Sequence, residues 1–403
     1  MTIQELWPDC CSEGPHGAIV ARDVYYAPDH RYGHLPIGAL LEPFAQPPRL
    51  IGGEDLLGMR FADALFLDTE TTGLSGGTGT YVFLVGVARF VDGRLLLRQF
   101  FLRELHEERA LLQALNEFAA GCTGLVTFNG KAFDLPLLNN RHIMQRSRSR
   151  LPDDLHLDLL WPARRIWSRR LTSCSLTSLE RELLGVARQG DVPGALIPEL
   201  YFRYLRGKDA SPLTAVFEHN RRDVLALAAL AGLLCGAALQ PVDYIQHPVD
   251  LVALGRLFLR ERDYGQAECC YDRALAGQLP RGERGWAWLG LAEVYRRTGR
   301  GETALPLLQV AARQGGPAGL EAAITLAKYL EHRARDFDAA AEMTAQALQS
   351  AGNQVRQRAD LLSRMSRLQR KQARAAATEL ATHHTTGETD AVTSSPLHPA
   401  ALA

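Results

Sequence analysis

The sequence predicts an α/β domain built on a mixed β-sheet, followed by an all-α domain of helical repeats. Three observations lead there. The apolar run ALFLD at 64–68 stops abruptly at an acid, as a buried strand does when it delivers a side chain to a site. Two more strand-like segments follow it, then helical spacing, then another short apolar strand, an order that produces a mixed sheet. From about residue 250, small and aromatic residues recur at a fixed spacing, the mark of stacked helical hairpins.

Composition narrows the function classes. A chain of 403 residues exceeds one compact core and implies two or three domains. Lys+Arg and Asp+Glu both number 45, so any basic surface must be local. The seven cysteines form no CxxC pair, which implies free thiols in a reducing compartment. The opening MTIQELWPDC lacks a basic-then-apolar leader pattern. The apolar run at 224–239 is 16 residues long, short of the ~20 that a membrane span needs. It also follows directly on Arg221, Arg222 and Asp223, so it reads as a buried core helix. The expectation is a soluble, cytoplasmic protein with no membrane association.

Taken in order, residues 1–48 carry scattered prolines without sustained period and read as an irregular arm. Residues 49–240 form the α/β domain. Within it, 64–68 is a buried strand and GLSGGTG at 73–79 a turn. Residues 81–90 and 95–102 are strands joined through Asp92-Gly93. Leu105, Leu111, Leu112, Leu115 and Phe118 give helical spacing over 104–120. Residues 125–128 are a short strand, and a helix follows over 133–146. Beyond Arg150 the pattern is helical at 155–167, 176–184 and 215–239, with GDVPGALIPELYFRYL between the last two as a shaped loop.

Residues 250–352 repeat. Leu254, Gly255, Phe258, Ala267, Tyr271 and Ala274 match tetratricopeptide spacing. Trp288, Leu291, Ala292, Tyr295, Gly299, Ala304, Leu308 and Ala311 match it again, and a third copy with Ala340 and Ala347 needs a one-residue insertion. A generic array of Ala-rich hairpins explains the same letters. Residues 353–403 comprise a basic helix (356–374) and a polar, disordered tail.

The chemistry-bearing residues sit at element ends. Asp68 and Glu70 are two apart on a strand and so share a face. Paired carboxylates there suit a hard cation such as Mg²⁺ or Mn²⁺. Asp134 opens a helix after a strand end, where an acid also serves as a plain first-turn charge. His219 and Asp223, four apart, are neighbours on one helix face.

The order D-x-E, D, H-x-x-x-D resembles the DEDD superfamily of 3′→5′ exonucleases, which have a ribonuclease-H-like fold. FLDTETTGLSGGTGTYVFLVG, LVTFNGKAFDLPLL, SCSLTSLERELLG, GDVPG and HNRRDVLAL are similar to signatures of the bacterial YprB-like family, predicted exonucleases that often carry tetratricopeptide repeats. The resemblance covers 49–238, and Asn129 ahead of Phe133-Asp134-Leu135-Pro136 also resembles the proofreading domain of B-family DNA polymerases. It implies that Asp68, Glu70, Asp134 and Asp223 bind two Mg²⁺ or Mn²⁺ ions. These would clamp the attacking and leaving oxygens of a phosphoryl displacement on a single-stranded nucleic-acid 3′ end. His219 stands four residues before the last Asp, where the superfamily usually has tyrosine. As neutral imidazole it can orient the water or take its proton.

Other residues have two readings each. Gly76, Gly77 and Gly79 let backbone approach a phosphate, or only turn the chain. Thr71 and Asn129 contact substrate, or only shape strand ends. Asp158, His156 and Asp191 support the site, or only the fold, with the GDVPG loop able to cover it. Lys131 reads as a solvated turn residue. Arg141, Arg146, Arg148 and Arg150, then Arg164, Arg165, Arg169 and Arg170, with Trp161 and Trp167 interleaved, suit a groove for single strands. A solvated arginine face over core tryptophans fits equally. The leading expectation is a metal-dependent 3′→5′ exonuclease with a repeat module for protein contacts. A non-catalytic adaptor that binds nucleic acid or protein, and an endonuclease on RNA–DNA hybrids, are the alternatives.

Overall fold

The structure, a computed structural model, describes residues 1–73, 79–352 and 355–387, with 378–387 as backbone alone. It divides into two compact units after Glu261. In the first unit the strands are β1 (Cys11–Gly14), β2 (Gly17–Tyr26), a small separate pair β3 (Arg31–Tyr32) and β4 (Leu35–Pro36), β5 (Ala64–Thr71), β6 (Val82–Val91), β7 (Arg94–Phe101), β8 (Gly124–Thr127) and β9 (His156–Asp158). The longer helices are α1 (Glu108–Ala119), α2 (Asp134–Met144), α3 (Leu160–Trp167), α4 (Ile197–Gly207), α5 (Leu213–Leu239) and α6 (Pro248–Glu261).

The main sheet has the order β1-β2-β7-β6-β5-β8-β9. β8 runs parallel to β5 and β9 parallel to β8, while the other pairings are antiparallel. This is the mixed sheet that the sequence predicts. In β5, Ala64, Leu65, Phe66 and Leu67 are all fully buried, which is why the segment is continuously apolar rather than alternating. Asp92 and Gly93 both adopt positive φ (48° and 74°) between β6 and β7, the geometry of a two-residue hairpin turn.

Helix α5 crosses β5, β6 and β7 and packs against all three. Its length and hydropathy would suffice to cross a membrane, yet 83% of its most apolar window is buried inside the fold. It is the core helix that the flanking charges foretell. Gly86 on β6 is what lets it come close: a Cβ there would lie 2.2 Å from Asn220 Oδ1 and 2.8 Å from Val224 Cγ2.

Four stretches differ from expectation. Residues 11–26, expected as irregular, form β1 and β2, and β2 pairs with β7 from Val20↔Phe101 to Tyr26↔Leu95. Arg22 and Asp23 hide the strand in the sequence, but Asp23 lies opposite Arg98 and accepts its guanidinium at 2.6 Å, a cross-strand ion pair. Residues 156–158, expected as helix, form β9, which is too short for its period to show. The loop expected after residue 190 contains α4, with Ile197, Tyr201 and Tyr204 buried along one face and proline in its first turn, where no N–H is missed. The last helix extends to Gly387, past the point where the tail was expected to begin, and residues 388–403 lie outside the described residues.

The second unit contains α7 (Tyr264–Leu275), α8 (Arg281–Arg297), α9 (Gly301–Gln314), α10 (Gly316–Tyr329), α11 (Phe337–Ser350) and α12 (Val355–Gly387), each packed on the next. Ala267, Tyr271, Ala274, Leu291, Ala292, Ala304, Leu308, Ala311, Ala340 and Ala347 are buried. Close approach rests on small residues, since a Cβ at Gly290 would meet the Tyr271 ring at 2.2 Å.

Candidate metal centre

The site forms where β5 ends, α2 begins and α5 crosses the sheet. The β5–β6 register shifts between Glu70 and Thr71, and such irregularities re-aim side chains at strand ends. Asp68 and Glu70 are carried there by the strand. Asp223 and His219 arrive one helical turn apart on α5, with His219 Nε2 3.3 Å from Asp223 Oδ2 and 4.0 Å from Glu70 Oε1. Ligand atoms of Glu70, His219 and Asp223 all lie within 4.8 Å of one another. Asp68 and Asp134 are not members of that tight group. Asp134 is nevertheless tied to β5, because Thr69 Oγ1 donates to its Oδ1 at 2.5 Å. Its carboxylate is thus anchored to the neighbouring strand as well as to the first turn of its own helix.

Electrostatics bind the acids into one cluster. Burial first, then the charges of Asp223, Glu70 and Asp134, push the Asp68 carboxyl well above the ordinary range. Burial and then Asp223, Asp134 and Asp191 do the same to Glu70, against a lowering by Arg188. Burial raises Asp134 to about 6 despite the Thr69 hydrogen bond. Holding such carboxylates ionised calls for added positive charge. Clustered hard oxygens beside one imidazole form a donor set suited to a divalent cation, and the residues present therefore fit the ions that the sequence implies.

Five residues that the sequence reading passed over shape the centre. Asn220 Nδ2 donates to Asp68 Oδ2 at 2.9 Å. Gln99 Nε2 donates in turn to Asn220 Oδ1 at 3.0 Å and to the Phe217 carbonyl at 2.7 Å. Both amides are fully buried. Gln99 was visible as the lone amide in the apolar β7, and Asn220 as the residue between histidine and arginine in HNRRD. Arg188 bonds Asp223 Oδ1, Glu180 Oε2 at 2.6 Å and Asp191 Oδ2 at 3.2 Å. Burial opposes its charge, but Asp223 and Glu180 more than offset this and hold its pKa above the usual value. Glu180, on a π-turn, is buried and also accepts from the Tyr32 hydroxyl. No local pattern marks Arg188 or Tyr32, and Glu180, though inside SCSLTSLERELLG, shows no partner there, because the three meet only through folding.

The weaker candidates separate. Asp191 lies in the centre, its Oδ1 2.9 Å from His219 Nδ1. Burial raises its carboxyl, but the His219 and Arg188 hydrogen bonds together hold it below the usual range. Asp158 is occupied by the backbone, accepting from the N–H groups of Asn129 (2.8 Å), Leu160 (3.1 Å) and Lys131 (3.2 Å). His156 pairs through Nε2 with Thr127 at 2.7 Å, and burial lowers its pKa to about 4. Thr71 Oγ1 donates to the Gly73 carbonyl at 3.0 Å. Asn129 takes a positive φ of 64° in the turn after β8. Gly76 and Gly77 lie outside the described residues, and Gly79 stands in open space.

The arginine clusters divide: Arg146, Arg148, Arg150, Arg164, Arg165 and Arg169 are exposed, while Arg141 and Arg170 are drawn inward. Arg141 is buried, with bonds to Glu108 of 2.5 and 2.6 Å, and Arg170 pairs with Asp250 at 2.7 Å. Trp167 is wholly buried. Arg165 reaches the Ile51 carbonyl at 3.3 Å. Arg164 and Trp161 are exposed, the guanidinium 6.0 Å from the ring centroid, and Arg164 lines a cavity of about 690 Å³ with Phe128, Asn129 and Ser173. Basic residues separated from their counter-ions in the sequence cannot reveal which of them are already paired.

A profile described as the RNase_H superfamily matches residues 65–235, the span that holds every acid of the centre. The chain is also 34% identical over 356 residues to the uncharacterized protein YprB of Bacillus subtilis (strain 168), which covers 87% of this chain and 85% of that protein.

Proposed function

The chain belongs to the YprB family within the ribonuclease H superfamily, and from that membership we propose that it is a metal-dependent 3′→5′ exonuclease acting on single-stranded nucleic acid. The superfamily itself points to a nuclease. What carries the finer reading is the convergence of Asp68, Glu70, Asp134 and Asp223, drawn from three separate segments, on one centre with His219.

Asp68, Glu70, Asp134 and Asp223 would hold two Mg²⁺ or Mn²⁺ ions. When bound, these supply Lewis-acid stabilisation to the attacking and leaving oxygens of phosphoryl transfer. His219 presents Nε2 to the acids and accepts the proton of the attacking water. The new P–O bond forms as the P–O3′ bond breaks, releasing a nucleoside 5′-monophosphate. Asn220 fixes the Asp68 carboxylate through its amide N–H. Arg164 and Asn129, at the cavity beyond β8, would take the phosphates of the strand behind the cut. The helical second unit would serve contacts with a protein partner, and free thiols at all seven cysteines suit the cytoplasm.

The test is a panel of end-labelled DNA and RNA oligonucleotides with and without Mg²⁺ or Mn²⁺. Wild-type protein shortens them from the 3′ end only with metal, and Asp68→Asn loses that activity while keeping its fold. Full activity in Asp68→Asn refutes the assignment. Cleavage of a hybrid whose 3′ end is blocked would instead establish an endonuclease.

A further inference from the structure

His219 has its two ring nitrogens in different surroundings. Nε2 looks toward Asp223 and Glu70, at 3.3 and 4.0 Å. Nδ1 meets Asp191 Oδ1 at 2.9 Å. A neutral imidazole carries one N–H, and the hydrogen bond at one nitrogen decides what the other can do. An Nδ1–H given to Asp191 leaves the Nε2 lone pair pointing into the acid cluster, ready to accept a proton. The opposite tautomer would set the lone pairs of Nδ1 and Asp191 Oδ1 against each other at 2.9 Å and close Nε2 as an acceptor.

Asp191 is itself held. Its second oxygen accepts from Arg188 at 3.2 Å, and Arg188 is gripped from behind by Glu180 at 2.6 Å. Glu180 is 1% exposed and also accepts from the Tyr32 hydroxyl. Asp191 Oδ1 is fixed as well, since it also takes the Val192 N–H at 3.0 Å. A carboxylate tied at both oxygens cannot swing away from the imidazole. The segment GDVPG therefore supplies an anchor to the site.

We propose that Asp191 is a positioning residue that fixes the tautomer and ring orientation of His219, with Arg188 and Glu180 holding Asp191 in place. The proposal rests on the nuclease reading for its kinetic consequence, but not for its structural one. Supporting carboxylates of this kind typically change activity by about 10–100-fold when removed.

Nitrogen NMR of the histidine rings in the full chain, at neutral pH without added metal, reads the tautomer directly. Wild-type protein should show His219 protonated at Nδ1, and Asp191→Ala should lose that preference. A wild-type ring protonated at Nε2, alone or together with Nδ1, or a tautomer unchanged in Asp191→Ala, overturns the proposal. In the nuclease assay with Mn²⁺, Asp191→Ala should lower kcat about 10–100-fold with KM little changed, and Asp191→Glu should recover part of the loss. An unchanged kcat also overturns it. If wild-type protein degrades no substrate, the functional reading falls while the ring nitrogens still decide this one.

Discussion

At the scale of single residues, the centre depends on a glycine as much as on its acids. Gly86 lies opposite Asp68 across the β5–β6 pairing. Its missing side chain is the space that Asn220 fills on the way to Asp68. In Gly86→Ala the new Cβ would fall 2.2 Å from Asn220 Oδ1, and a fully buried amide bonded to Gln99 has nowhere to retreat. Overpacking of this kind costs about 1–3 kcal/mol. Chemical denaturation should therefore show a loss of that order, and nuclease assays a fall in rate, because Asp68 loses its fixed hydrogen bond. Asp68, Glu70, Asp134, His219 and Asp223 were all legible as residues, since acids at strand and helix ends stand out against apolar runs. Arg188 was not, because an arginine has no distinctive neighbourhood until its partner is known, and Asn220, though visible inside HNRRD, showed no partner there.

At the scale of elements, α2 and α3 show how far letters mislead about charge. Arg141 and Arg164 look alike in the sequence, each within a basic cluster beside a helix. Arg141 on α2 is buried against Glu108 of α1, with both side chains nearly inaccessible. Arg164 on α3 faces solvent beside Trp161. Removing one partner of a buried ion pair costs about 3–5 kcal/mol because the other charge stays buried alone. Arg141→Met should accordingly lower the melting temperature sharply. Arg164→Ala should leave it near wild type and raise KM for oligonucleotides. A stable Arg141→Met, or an unchanged KM in Arg164→Ala, would contradict these assignments. β2, β9 and α4 were likewise hidden: β2 by charges that pair across strands, β9 by brevity, α4 by the glycines and prolines around it.

At the scale of the whole molecule, the acid cluster links stability to pH and to metal. Asp134 has its pKa raised from 3.8 to about 6, and Asp68 and Glu70 are also raised, by burial and mutual charge. A carboxyl raised in the folded state favours folding while it is protonated. That contribution is full below pH ~4 and is lost as pH rises through the folded value. With a chelator present, the cluster's share of stability should thus decline from pH 4 upward through about 6 for Asp134. Divalent cations replace the lost protons, so the rise in melting temperature on adding Mn²⁺ should be larger at pH 8 than at pH 5. An equal shift at both would mean that these carboxylates are not where the cation binds.

The chain's own letters determined the four middle strands β5, β6, β7 and β8 of the central sheet, where the long buried helix lies, and which acids stand at element ends. Those features follow from local periodicity and from the cost of placing charge beside apolar runs, so short stretches suffice to reveal them. Tertiary structure alone decided that Asn220 reaches Asp68, that Arg188 joins Asp223 to Glu180, and that Asp191 holds His219. It also decided which arginines are spent on internal partners. Contacts between residues far apart in the chain depend on how elements pack, and no local pattern encodes them.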